Sequence, residues 1–506
     1  MDANALLKKL HATDGECRSL ERTIAVLQWD QETYLPDAAV DERADQLALL
    51  GKMTHELFAS AETGRLLGEL GSSADNPGGD EKLPRLERDF LKVMRRDYDR
   101  EKKLPSDFVA GSVRAEGLSI AAWSQAKINN DFQLFLPHLY TMIDFARRRS
   151  VYWGYDDCVY DGLLSIYEPG MDAKAIASVF TPLRERLSAL LKKITAAGHP
   201  DCSFLNNDYR PETQAQFSGE LMKLLGFDFN RGRIDVSAHP FTTSLGADDV
   251  RITTRYLPGN LLSGIFSTIH ECGHAFYDMA FPPELRGTRL ADGASMGIHE
   301  SQSRLWENVI GRSRPFCEKM FPLLRSYFPE ELRNVTADNF FRAVNRAEPS
   351  LIRVDADEVS YSLHIILRFE LEQGLFSGAV KPEDLPALWR TGMKKILDIE
   401  PPDDTAGVLQ DIHWSMGSFG YFPSYALGNL YGLQFFGKLR NDIPNLDAVI
   451  AAGNFSPVHG WLRENVHKWG RRLDPPDLLK QVTGQSLSVE PFLKYIEDKY
   501  SEIYGI

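Results

Sequence analysis

Apolar positions recur at intervals of three and four along most of the chain. In "LPRLERDFLKVMRRDYDREKKL", Leu86, Phe90, Leu91 and Val93 fall roughly on one face among charges. "VFTPLRERLSALLKKITAAG" repeats the pattern and ends at Gly198, and "YSLHIILRFELEQGLFSG" carries it again. A period near 3.6 predicts amphipathic helices. One region departs from it. In "RGRIDVSAHPFTTSL" and "DDVRITTRYL" the apolar residues alternate, Ile234 with Val236 and Val250 with Ile252, and "LGAD" offers a turn between them. Alternation of that kind predicts a small β-ribbon. It lies just before a long apolar stretch, "GIFSTIHECGHAFYDMA".

Interruptions are few. Gly71 to Asp80 is a Gly- and Ser-rich loop, and His199 to Glu212 is irregular. Two longer loops, Phe281 to Gly297 and Ile399 to Pro423, are rich in Gly, Pro and Asp. Loops of that length inside a compact domain are often functional. No linker marks a clean boundary and no fixed period repeats. The expectation is one unit over residues 1–506, mainly α, with an N-terminal helical lobe at about 1–200 folded over a catalytic part at about 201–506.

Composition narrows the partners. The chain has 506 residues, with Lys+Arg 57 against Asp+Glu 71, a net charge of −14. Nucleic acid and anionic membranes both require a concentrated basic face, so neither is expected. No run approaches the roughly 18 apolar residues of a membrane span. The opening "MDANALLKKLHATDGE" lacks the long apolar core and small-residue cleavage site of a secretory leader. Five scattered cysteines without a CxxC pair fit a reducing compartment, so a cytoplasmic protein is expected.

The chemistry is concentrated in "IHECGHAF". Residues four apart on a helix share a face, so His270 and His274 can reach one metal ion. With Glu271 between them they form HExxH, the zincin signature, in which the glutamate activates water. A catalytic zinc needs a third protein ligand and an open position. No histidine follows within the same helix. The downstream "GIHESQSRLWENVIG" offers Glu300, with Arg304 one turn on to back it; His299 and Glu307 are rival ligands. Zinc suits this donor set first, one ion per chain, though cobalt or manganese would suit it too. Cys272 sits in the motif but points away from the two histidines and reads as buried packing.

Several motifs in order then resemble one family. These are "HPF" at His239, "DVRIT" at Asp249, "HECGH", "HESQ" at His299, "IRVDADEVSY" at Ile352 and "GVLQDIHW" at Gly407. The N-terminal "LQWDQETYLP" and the C-terminal "FLKYIEDKYSEIYG" match as well, so the resemblance spans nearly the whole chain. It is to the carboxypeptidase Taq family of metallocarboxypeptidases. The resemblance implies a helical, zincin-like fold with a deep cleft, the ribbon beside the active site, and a cytosolic homodimer. The implied activity removes single amino acids from peptides with a free C-terminus. It makes His270, His274 and Glu300 the metal ligands and Glu271 the general base. It also makes Arg353 the reader of the terminal carboxylate, a task suited to the planar guanidinium fork.

Around these lie further candidate cleft residues. His413, Tyr421 and Tyr425, on or beside a Gly-rich loop, could wall the site and donate to a developing oxyanion. His239 and Arg251, from the ribbon, are expected in the cleft without a fixed role. HExxH plus a downstream glutamate also suits a helical oligopeptidase that cuts internally or releases dipeptides. A non-catalytic peptide-binding protein is the rival from another class.

Overall fold

The computed structural model describes residues 2–155 and 157–506. Among the described residues the regular structure is helical apart from one small sheet. The three stretches with the clearest 3.6 period form helices at Arg85–Lys103, Ala173–Ala197 and Tyr361–Ser377. A minority of the helices, including the two at the site, start on side-chain capping, in which a short polar side chain accepts from an otherwise orphaned backbone N–H. Asn260 accepts from the Ser263 N–H at 3.1 Å and Ser295 from Ile298 at 3.0 Å, opening the two helices that carry the metal-ligand candidates.

The expected ribbon is a three-stranded mixed sheet. Its strands are β1 (Gly232–Val236), β2 (Thr242–Ser244) and β3 (Val250–Thr254), in the order β1-β3-β2. The "LGAD" turn joins β2 to β3 as an antiparallel pair, while β1 runs parallel to β3 on its other side. Pro240 explains the split of the first stretch. It has no N–H for a ladder, so "SAHP" leaves the sheet and the chain re-enters on the opposite edge of β3.

Two hydrophobic clusters organise the helices. A small one gathers Leu6, Leu10, Phe58, Leu67, Phe90 and Met94 with Leu285 and Leu290 of the first long loop. Within the N-terminal part this separate cluster reaches Tyr98; from Ala126 onward the helices pack into the large cluster that fills the rest of the chain. Buried ion pairs tie the two together. Arg289 of the loop bonds Asp14 at 2.8 Å, and Arg471 grips Asp97 at 2.9 Å through both terminal nitrogens. Trp29 adds an aromatic tie, lying under Arg251 at 4.4 Å and Arg233 at 5.2 Å from the sheet.

The site is set by three helices that close on one another: Leu261–Met279, Met296–Arg304 and Phe422–Asp442. Two glycines permit the approach. A Cβ at Gly273 would stand 2.6 Å from the Ser303 Cα, and one at Gly428 would stand 2.6 Å from the Glu300 Cγ. Any larger residue at either position would push the Glu300 helix outward.

Candidate active site

His270 and His274 lie one turn apart, and each turns its Nε2 toward the same oxygen. Glu300 Oε2 is 3.6 Å from His270 Nε2 and 3.5 Å from His274 Nε2. These three residues form a cluster able to hold a metal ion. Ligands bonded at about 2.0–2.2 Å in a tetrahedral array stand roughly 3.3–3.6 Å apart. The donor spacing therefore fits a small divalent ion.

The other two candidates, His299 and Glu307, stand behind the clustered histidines. Glu307 Oε2 lies 2.8 Å from His270 Nδ1. His299 Nδ1 lies 2.6 Å from His274 Nδ1, and its other nitrogen lies 3.0 Å from Asp278 Oδ1. This back-bonding orients each imidazole and fixes which nitrogen carries the hydrogen. With Nε2 facing the ion position, His274 donates from Nδ1 to His299, which donates from Nε2 to Asp278. Glu307 gets its reach from a local change of helix. The Met296–Arg304 helix widens into a π-helix over Leu305–Ile310, a distortion that recurs at functional sites.

The charges keep the clustered donors in the protonation states that a metal ion requires. Burial alone would raise the Glu300 carboxyl, but Arg304 at 2.7 Å and the two histidines hold it well below the usual range. Burial lowers His274 to about 4, so its ring is neutral at pH 7. Burial also works against ionisation of Glu307, yet Arg304 and His270 bring it down to about 2. The Glu300–Arg304 pair is thus a buried element of the site.

Glu271 is held apart from the ligands. Its Oε2 accepts from the Thr242 hydroxyl at 2.7 Å, and the same hydroxyl reaches its backbone carbonyl at 3.1 Å. Burial raises its pKa, opposed by His270 and the Thr242 bond. A buried carboxylate with a raised pKa and one fixed oxygen is suited to take up a proton. Cys272, on the same helix, is buried and its thiol is pushed well up, consistent with packing.

Arg353 lies at the start of a short 3-10 turn and is buried. Its acidic sequence neighbours bond elsewhere: Asp357 accepts from Glu348, Val359 and Ser360, and Glu358 pairs with Lys499 at 2.8 Å. Its partner is Asp411, 2.8 Å from Nε, shared with the fully buried Arg368 at 2.6 Å. Nη1 donates to the Tyr361 hydroxyl at 3.1 Å, and the Tyr425 ring lies 5.0 Å away. One side of the guanidinium fork is therefore held rigid, while Nη2 keeps both of its N–H groups without a protein partner among the described residues. The Tyr361 ring also stacks at 4.4 Å on Arg304, so one aromatic ring separates this arginine from the metal centre.

Comparison with known proteins matches residues 9–500 to the family model described as carboxypeptidase Taq (M32) metallopeptidase. The chain belongs to that family. It is 40% identical to Carboxypeptidase 1 of Bacillus subtilis over 95% of both chains, and 40% identical to Thermostable carboxypeptidase 1 of Thermus thermophilus over the whole of each. Its fold matches the crystal structure of the M32 carboxypeptidase from Deinococcus radiodurans with a TM-score of 0.96, at 38% identity, over 99% of this chain and 100% of that one. The protein is an enzyme, a metal-dependent carboxypeptidase. This supersedes the oligopeptidase and binding-protein readings.

The remaining candidates of this carboxypeptidase fall into two groups. His413, Tyr421 and Tyr425 lie together. The Tyr421 and Tyr425 rings meet edge to face at 5.0 Å, and His413 Nε2 is 3.1 Å from the Tyr425 hydroxyl. Burial lowers His413 to about 4, so it is neutral, and its Nδ1 is buried without a partner. A bare lone pair there costs less than an orphaned N–H, so the hydrogen resides on Nε2 and is donated to Tyr425. That leaves the Tyr425 O–H to donate, and the Tyr421 hydroxyl stands within its reach. His239 and Arg251 are placed differently. The His239 side chain is exposed, and Arg251 pairs with Asp249 at 2.9 Å while covering Trp29.

Several contributors had no assigned role in the sequence. Tyr361, Asp411 and Gln410, whose Oε1 accepts from the Arg353 backbone N–H at 2.9 Å and from Arg368 Nη2 at 2.7 Å, sit inside the quoted motifs "IRVDADEVSY" and "GVLQDIHW", which was the available signal. Thr242 and Arg368 carried none, because their significance depends on which helix or loop folds against them.

Proposed function

We propose that His270, His274 and Glu300 hold one divalent ion, that Glu271 is the general base, and that Arg353 reads the terminal carboxylate of a peptide. The reading rests on one observation: three donors with metal-ligand spacing stand beside a separately anchored carboxylate, at one end of a path that finishes at a buried arginine with an unused donor. The ion supplies Lewis acidity, lowering the pKa of water and polarising a carbonyl. Zinc fits two imidazoles and a carboxylate first, and cobalt or manganese suits the same donors.

Glu271 takes the proton of the water that attacks the last peptide carbonyl and passes it to the leaving amine. Tyr425, oriented by His413, donates to the carbonyl oxygen as it gains charge, and Tyr421 lines the same wall. Arg353 sets the register through Nη2, so that cleavage releases a single residue. Arg251 serves to hold the N-terminal helix through Trp29, and His239 takes no part in binding the ion. The five free thiols support a reducing, cytoplasmic setting, and the family resemblance supports a homodimer, which sedimentation would test.

The experiment is digestion of a defined free-acid peptide with and without a chelator, read by mass. A ladder losing one C-terminal residue at a time, abolished by chelation and restored by zinc, is the expected result. Internal fragments or dipeptide steps would sink the assignment of Arg353.

A further inference from the structure

No step of the proposed reaction uses Glu168, a fully buried carboxylate at the C-terminal end of the helix Val159–Tyr167. Its side-chain partners are three donors from two other helices. Oε1 accepts from the Ser424 hydroxyl at 2.8 Å and from the Gly297 N–H, and Oε2 accepts from the Ser295 hydroxyl at 2.9 Å. No Lys, Arg or His pairs with it among the described residues. Ser295 and Gly297 open the Met296–Arg304 helix, which carries Glu300. Ser424 lies in the first turn of the Phe422–Asp442 helix, which carries Tyr425. Burial pushes the Glu168 carboxyl up to about 7, opposed by the three donors. Two helix N-termini meet on it, and their dipoles offset part of that cost.

These two helices lack side chains at points where they touch. A Cβ at Gly428 would stand 2.6 Å from the Glu300 Cγ, and one at Gly432 would stand 3.0 Å from the Ser301 carbonyl oxygen. Side-chain ridges normally fix how one helix sits along another, and glycines supply none. At the N-terminal end, the Glu168 carboxylate bridges the pair instead. It also fixes the Ser295 hydroxyl: the hydrogen goes to Glu168, which leaves a lone pair to accept from the Ile298 N–H at 3.0 Å and cap the helix. The preceding residue, Tyr167, meets the Tyr421 ring edge to face at 4.8 Å. We propose that Glu168 is a positioning residue that sets the register between the Glu300 helix and the Tyr425 helix, and so the placement of the metal-binding carboxylate relative to the oxyanion donor. This rests on the roles proposed for Glu300 and Tyr425 and extends them. A misplacement of about 1 Å can cost on the order of 100-fold in rate.

The test compares substitutions at Glu168 in zinc-saturated enzyme, with zinc affinity measured separately by competition with a chelator. Glu168→Ala should lower kcat on the order of 10- to 100-fold and weaken zinc binding. KM and the acid-to-amide ratio should hold, because Arg353 is untouched. Glu168→Gln should restore most of kcat: its carbonyl can accept from Gly297 and Ser424, and its amide can donate to Ser295. Glu168→Asp keeps the charge but is one methylene short, and should resemble the alanine variant. A Cβ at Gly297 would stand 2.6 Å from Glu168 Oε1. Gly297→Ala should therefore lower kcat alone and cost nothing further beside Glu168→Ala. Should the alanine variant not fold, Ser424→Ala removes a single bond and should lower kcat several-fold. Wild-type kcat and zinc affinity in the variants, with only Tm lowered, overturns the proposal. So does an additive cycle with Gly297→Ala, or rescue by aspartate and not by glutamine. If the unmodified enzyme with zinc releases no single C-terminal residues, the proposed function fails instead, and that is read before any substitution is made.

Discussion

At the proposed metal centre, two of the three clustered donors and the proposed base come from five consecutive residues, and the third donor comes from the next helix in the chain. At the Arg353 end, the parts come from the 3-10 turn at Arg353–Asp355, from Tyr361 and Arg368 on the following helix, and from Asp411, His413 and Tyr425 more than fifty residues on. The first region is built by helical spacing. The second is built by burial: two guanidiniums share one carboxylate, and burying either without it would cost several kcal/mol. On the proposed roles, bond-breaking chemistry rests on local order, while the choice of a chain end rests on long-range assembly. The Tyr361 ring between Arg304 and Arg353 is where the two meet.

Substitutions can break this contrast. The largest effect is expected from Glu271→Gln, with kcat lowered roughly 10²- to 10⁴-fold while metal content measured by elemental analysis is unchanged. Normal turnover with full metal would remove Glu271 from the mechanism. Arg353→Ala should come next, lowering kcat/KM about 100-fold or more on a free-acid peptide. The matching C-terminal amide should be barely affected, so the ratio of the two substrates is the measurement that decides. Glu307→Gln should act on the other region alone. It weakens the orientation of His270 and lowers metal affinity on the order of 10- to 100-fold in competition with a chelator, leaving the acid-to-amide ratio of the reloaded enzyme as before.

The smallest expected effect concerns the loop that carries Asp411 and His413. Glu372 pins it by accepting from Trp414 at 2.8 Å and the Gly420 N–H at 2.9 Å. Burial pushes this carboxyl from its ordinary 4.5 up to about 7, against those donors. The native state therefore keeps a proton that the unfolded chain has released, and the associated stability is full below pH 4.5 and is lost as pH rises to about 7. Glu372→Gln removes that dependence. The wild-type advantage over the variant in urea unfolding should shrink by on the order of 2–3 kcal/mol between pH 4.5 and 7.5. An advantage that is flat across that range would show that the carboxylate is held ionised.

Much of the metal centre was legible because a helix converts spacing into direction. His270 and His274 needed only a period of 3.6, Glu300 needed the family resemblance as well, and the helices themselves followed from the same pattern. The ribbon was legible as extended chain but not as a three-stranded sheet, since strand order depends on which edge of β3 each segment finds. His299 and Glu307 show the limit most clearly. As residue types beside Glu300 they were equally good ligands. Distance separates them: one stands behind His274, the other behind His270 on a stretch of π-helix. Arg353 likewise had three acidic neighbours in sequence, and its carboxylate partner is Asp411.

By itself the sequence determined the helical fold, the HExxH pair with its base, and the family. Each is encoded in residues close together or in motifs whose order survives unfolding. Tertiary structure alone decided which polar groups converge on one point and which stand behind them, and which acid holds Arg353. Those are choices among chemically equivalent groups, and they are made by burial and by the close approach that Gly273 and Gly428 permit.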